Sequence, residues 1–202
     1  MDARRLLGWG LLALCTACSG AKHTVRESAS TEGTGGSGAV AQEQSLAAPE
    51  SNSLRYVDQA LGFEITRPGD DWLMDEPGEQ TPEGLVIPIV LRHRTSGAQV
   101  VMQVAPAVAS PAEFAERLTI GLRSQPGFVT SEPEPLPVSD NAVGFNFAAG
   151  NNVRGRVMVC EGSPGRVFMM LATWPTEAPE EIPEGVNALF QSVRPLVVPE
   201  QT

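Results

Sequence analysis

The chain has 202 residues, and its 14 Lys and Arg stand against 24 Asp and Glu, for a formal net charge of −10. That acidity favours solubility and argues against a nucleic-acid partner or direct binding to an anionic lipid surface. The length suits a single-domain core of ordinary size once a leader and a tether are set aside.

Residues 1–17 read as a secretory leader. Arg4 and Arg5 make a short basic region, Leu6 to Leu14 an apolar one, and small residues lead up to Cys18. The apolar stretch is too short for a membrane-spanning helix. The segment Cys15-Thr16-Ala17-Cys18 resembles a bacterial lipobox, which implies cleavage before Cys18 and a diacylglyceryl group on its sulfur. Cys15 stands where that pattern usually has leucine, and Leu14 before it does not suit cleavage there. An ordinary secretory leader with an incidental cysteine is the alternative, and a twin-arginine signal is a weaker one. Ser19 after the cysteine points to the outer membrane rather than the inner, with the domain facing the periplasm. Cleavage takes away Asp2, Arg4 and Arg5, leaving 23 acidic and 12 basic residues and a formal charge of about −11. With Cys18 lipidated only Cys160 remains, so no intramolecular disulfide is available and the domain relies on its core.

Residues 18–53 read as the lipidated cysteine and a flexible tether. Beyond Cys18 the stretch lacks aromatic residues and a sustained apolar period, and it carries a Gly/Ser cluster at Gly33 to Gly38. It cannot bury enough surface to offset the entropy of ordering. About 35 such residues reach on the order of 30 Å. His23 lies within it.

The domain is expected over residues 54–195, with a tail at 196–202. Leu54 to Val57 and Phe63 to Thr66 read as two short strands, and Pro68-Gly69-Asp70-Asp71-Trp72 leads into an acidic loop. Leu85 to Arg92 and Gln99 to Val104 follow as longer strands around Thr95-Ser96-Gly97. Ser110-Pro111-Ala112-Glu113 opens a helix with a capping box and a proline at its first position. Phe114, Leu118 and Leu122 make its buried stripe, and Gln125-Pro126-Gly127 ends it. A meander comes next, at Phe128 to Leu136, Ala142 to Ala148, Val153 to Glu161 and Arg166 to Thr173. Its turn signals are Ser139-Asp140-Asn141, Gly150-Asn151-Asn152 and Gly162-Ser163-Pro164-Gly165. A final helix runs from about Glu180 to Gln191, with Ile182, Val186, Leu189 and Phe190 inward and Pro183 in its first turn. The order predicts an α+β domain, a mainly antiparallel sheet covered by helices.

The stretches LGFEITRPGDDW, VVMQVAPA with its following helix, GFNFAAGNNVRGRVMVCEGSPGRVFMMLATWP and ALFQSVRP resemble the PsbP-like superfamily. The nearest analogy is with its bacterial lipoproteins, the DcrB-like and DUF1795-type proteins, over Leu54 to Pro195. The resemblance implies an α/β/α sandwich that binds another macromolecule without catalysis. Members include photosystem assembly subunits, a nuclear GTPase-binding protein and secretion-effector chaperones. The fold does not identify the partner, and no functional residue transfers from it.

Groups able to do chemistry are few. His93 lies between Arg92 and Arg94, with no GxSxG elbow to serve it, and reads as an exposed strand-end cluster or a dock for a carboxylate or phosphate. Asp70, Asp71, Asp75, Glu76, Glu79 and Glu83 lack the spacing of a calcium loop and read as a solvated one. Met102, Met158, Met169, Met170 and Cys160 invite a copper site, but on strands they read as core filler. Trp72, Trp174 and Phe190 are the candidates to line an apolar cleft between a helix and the sheet, or else to pack the core. No cofactor or metal is expected.

The leading expectation is therefore a non-catalytic lipoprotein of the cell envelope. It is anchored to the membrane through Cys18 and binds another envelope protein. A carrier or sensor of an apolar small molecule or lipid is the alternative, and an enzyme is the least favoured reading.

Overall fold

A computed structural model describes residues 55–196 apart from Glu83 and Asp140. The expected leader of residues 1–17 and the expected lipidated cysteine and tether of residues 18–53 lie outside the described residues, as do Leu54 and residues 197–202. No helix among the described residues is long and apolar enough to cross a membrane.

The chain begins with the hairpin β1 (Arg55–Asp58) and β2 (Phe63–Thr66), paired antiparallel with Tyr56 opposite Ile65. Its turn is closed by Asp58, whose carboxylate accepts from Leu61 N at 2.8 Å. Gly62 there has φ +75°, and a Cβ would stand 2.8 Å from Ser163 Cβ, so only glycine fits. The stretch expected to be an acidic loop contains a strand, β3 (Trp72–Asp75), which sends Trp72 inward and leaves Leu73 exposed. A two-residue strand, β4 (Glu79–Gln80), follows it. Flanking aspartates hide the apolar alternation of Trp72 and Met74 from a composition-based reading.

The single strand expected at Leu85 to Arg92 is instead two, β5 (Val86–Ile87) and β6 (Val90–His93). Both pair with β7 (Gln99–Pro106), Val86 opposite Val104 and Val90 opposite Val101. Four steps on one strand therefore match three on the other, a bulge at Pro88 and Ile89. Pro88 has no N–H to give the ladder, which is the physical reason for the break.

Helix α1 (Pro111–Arg123) has the expected reciprocal cap. Glu113 N donates to Ser110 Oγ, and Ser110 N donates to the Glu113 carboxylate. Its buried stripe is Ala115, Leu118, Thr119 and Leu122, and Phe114 is only half-buried, which corrects the expected Phe114–Leu118–Leu122 stripe. Steps of four drift about 40° per step around a helix with 3.6 residues per turn, so Phe114 falls at the margin.

The strand expected at Phe128 to Leu136 is broken into β8 (Phe128–Thr130) and β9 (Glu134–Pro135). Prolines 133, 135 and 137 remove the donors a longer strand would need. The remaining meander strands are β10 (Val143–Ala149), β11 (Val153–Glu161) and β12 (Arg166–Pro175). Helix α2 (Glu181–Ser192) then buries Ile182, Val186, Leu189 and Phe190, the four residues its periodicity predicts. Strand β13 (Arg194–Pro195) closes the chain by pairing with β2.

These strands make a three-stranded sheet, β1-β2-β13, and a ten-stranded sheet. The main path of the larger sheet is β3-β6-β7-β12-β11-β10-β8, and its ladders are antiparallel. The domain is thus α+β. Met158, Met170 and Met102 lie side by side in register on adjacent strands and share a fully buried core with Phe63, Phe168, Val186 and Leu189. Phe63 of the small sheet meets Phe168 edge-on, with ring centroids 5.6 Å apart. The alternate residues Phe145, Phe147, Val157 and Val159 are buried on the other face, where α1 lies against β8, β10 and β11. The two helices therefore cover opposite faces of one sheet.

Candidate functional site

Helix α2 packs against β2 and β12, and an open pocket of about 190 Å³ lies beside it, lined also by Arg156 of β11. Leu136, Pro137 and Val138, the proline-interrupted lead-in to β10, form one wall, and Phe190 forms another. The polar groups are Arg156 from β11 with Asn187 and Gln191 from α2. Period-2 alternation sets Arg156 on the same face as Met158 and Cys160, so a guanidinium sits on an otherwise apolar stripe. Arg156 Nη1 donates to Asn187 Oδ1. Its Nε is buried without a hydrogen-bond partner, and no ion pair involves Arg156 among the described residues.

Of the expected cleft residues, Phe190 lines this pocket, whereas Trp72 and Trp174 are not among its walls. Trp72 is packed core. Its ring meets His93 edge-on with centroids 5.4 Å apart, and a Cβ at Gly185 of α2 would stand 3.3 Å from its Nε1. Trp174 is half-buried against the same core, in register with Arg154.

The basic cluster at His93 is held against the acidic stretch by one ion pair and one bond to a backbone oxygen. Arg92 pairs with Asp75, Arg94 Nε donates to Asp70 O at 3.2 Å, and Asp70 lies 4.0 Å from the buried Arg67. His93 Nδ1 accepts from Ser96 N at 3.3 Å. Glu83 lies outside the described residues. Among the described residues no three His, Cys, Asp or Glu side chains converge as metal ligands. Met169 sits on the opposite face from Met170, so the five sulfur residues do not form one group. Cys160 is buried, and that burial, with the Glu161 charge in second place, pushes its thiol up to about 12.

The residues missed from sequence are Arg156, Asn187, Gln191 and the 136–138 wall. A signal for one of them was available. Arg156 occupies the same alternating positions as Met158 and Cys160, and a charge on a buried stripe calls for a partner. The walls had no such signal, because only folding brings residues 136–138 beside α2.

No family model and no curated protein matches the sequence. Among solved structures, the chain is similar to a protein of Bacteroides thetaiotaomicron VPI-5482 at 9% identity and a TM-score of 0.40. The match covers 75% of this chain and 52% of that one, so the chain spans about half the length of that protein.

Proposed function

We propose that the chain is a lipid-anchored, non-catalytic binding module of the bacterial cell envelope, related in fold to the PsbP-like superfamily. The helices on opposite faces of an antiparallel sheet support the fold relation. The residues around Cys18 support the anchor, and residues 18–53 set the reach of the domain. Binding is assigned to the α2–sheet pocket, which takes a small ligand with an apolar body. The observation that carries this is the pocket itself: apolar walls at Leu136, Val138 and Phe190 beside a few convergent polar groups, the lining of a small-molecule site in a volume smaller than a drug-sized ligand needs.

The test is a nuclear magnetic resonance screen of the full chain against small neutral aryl and alkyl compounds. Shifts confined to Leu136, Val138, Asn187 and Phe190 are expected. Absence of any shift at these residues with every compound overturns the reading.

Docking of another envelope protein is the second reading. It is favoured by two exposed apolar side chains, Ile120 at 61% on α1 and Val129 at 71% on the sheet-edge strand β8. In-cell crosslinking with mass spectrometry separates the two, since a single partner lost on Ile120→Glu would favour this reading.

A further inference from the structure

We propose that Arg156 is the anion-binding head of this pocket, and that its ligand is a small aryl or alkyl monocarboxylate. The inference rests on the pocket being a small-molecule site and adds the chemical class of the ligand.

Three observations carry it. First, Asn187 Oδ1 occupies only the Nη1 corner of the guanidinium, because Arg156 can only donate and the amide must turn its oxygen toward it. This leaves the Nε–Nη2 edge, a planar two-donor fork that matches the two oxygens of a carboxylate once the side chain turns that edge, whose Nε is closed off here, toward the pocket. Nε on that edge is buried and has no acceptor, a condition that buried polar groups rarely tolerate.

Second, the charge is unbalanced. Among the described residues Arg156 pairs with no carboxylate, although the chain carries 24 acidic residues against 14 basic ones. Arg154, two residues earlier on the same face of β11, is exposed and also makes no ion pair there, while the nearest acidic side chains of α2 are Glu181 and Glu184 in its first turn. Arg156 is part-buried and its Nε is shut off from water without an acceptor, and a bound carboxylate would supply that acceptor.

Third, the size is right for one small apolar body. An apolar cavity of about 150 Å³ holds benzene. At about 190 Å³ this open pocket has room for such a ring beside a carboxyl group. The walls at Leu136, Val138 and Phe190 suit the ring, and the Arg156 fork, with the free Asn187 amide N–H₂ beside it, suits the head.

The experiment compares phenylacetate with phenylacetamide, two molecules of one shape that differ in charge. Binding to the full chain is read by calorimetry and by the resonances of Asn187 and Phe190. Phenylacetate is expected to bind at least tenfold more tightly than the amide. Arg156→Met is expected to abolish that difference while leaving the circular dichroism spectrum unchanged, and Arg156→Lys to retain part of it. Equal binding of acid and amide overturns the assignment of an anion site and leaves the apolar pocket standing. Binding of neither compound overturns both. The acid–amide comparison needs no variant, so it decides the matter even if Arg156→Met fails to fold. A peptide ending in phenylalanine with a free C-terminus tests the other source of the same chemistry. Tighter binding of that peptide than of phenylacetate would overturn the small-molecule assignment.

Discussion

Phe147 of β10 lies across Gly155 of β11, its ring filling the space that a side chain at 155 would need. A Cβ there would clash with the ring and stand 2.6 Å from Ala172 O on the next strand. The break in the valine alternation of β11 at Gly155 is therefore a packing feature, with Phe128 stacked on Phe147 at 6.2 Å completing it. Gly155→Ala is expected to destabilise the domain by roughly 1–3 kcal/mol, the usual cost of overpacking a core. Thermal unfolding measures it, and Phe147→Leu in the same chain should recover part of the loss. An unchanged Tm for Gly155→Ala would show that the sheet yields at this point.

Ser110 is the hinge of the α1 capping box, donating to and accepting from Glu113. The Ser110 backbone N–H and then its hydroxyl, both bonded to the carboxylate, hold Glu113 below the usual carboxylate range. Ser110→Ala is expected to cost about 1 kcal/mol of stability in urea unfolding. It should also move the Glu113 titration, followed by carbon resonances, back toward its ordinary value, although the backbone N–H bond remains. A variant as stable as the parent would mean that α1 is held by its buried stripe alone.

Burial pushes Cys160 from 9.0 to about 12, so the folded domain keeps a thiol proton that the unfolded chain releases. Between pH 9 and 12 the unfolded state binds fewer protons than the folded one. Stability is therefore complete below pH 9 and falls as pH rises through that window, by up to about 4 kcal/mol. Tyr56, raised to about 12 chiefly by burial and then by Asp58 and Glu76, adds a smaller loss from pH 10 because it is partly exposed. Under reducing conditions, Cys160→Ala should flatten the fall of the urea midpoint between pH 8 and 11. Equal slopes in variant and parent would show that the thiol is not the titrating group.

Cys18→Ala is expected to move the protein from the membrane to the soluble envelope fraction, because acyl chains alone supply the proposed anchor. Fractionation with blotting reads the outcome, and continued membrane association would remove the lipid anchor from the proposal.

Much of the secondary structure was legible along the chain because its causes are local. The capping box at Ser110, the inward set Ile182, Val186, Leu189 and Phe190, and the extent of β2 and β11 all follow from periodicity and end signals. The errors also have local causes: Pro88 and the prolines near 133 cut strands that apolar content alone would extend, and flanking aspartates concealed β3. The pocket is different in kind. Residues 136–138, Arg156 and the 187–191 segment are far apart in sequence, and no short-range rule relates them. The sequence by itself determined an acidic chain, two amphipathic helices and a set of alternating strands. Only the tertiary structure decided that Trp72 is core while Phe190 borders a pocket, and that Arg92 has a carboxylate whereas Arg156 has none among the described residues. The physical reason is that burial and charge pairing depend on which elements meet, and sheet order sets that meeting over distances that periodicity does not span.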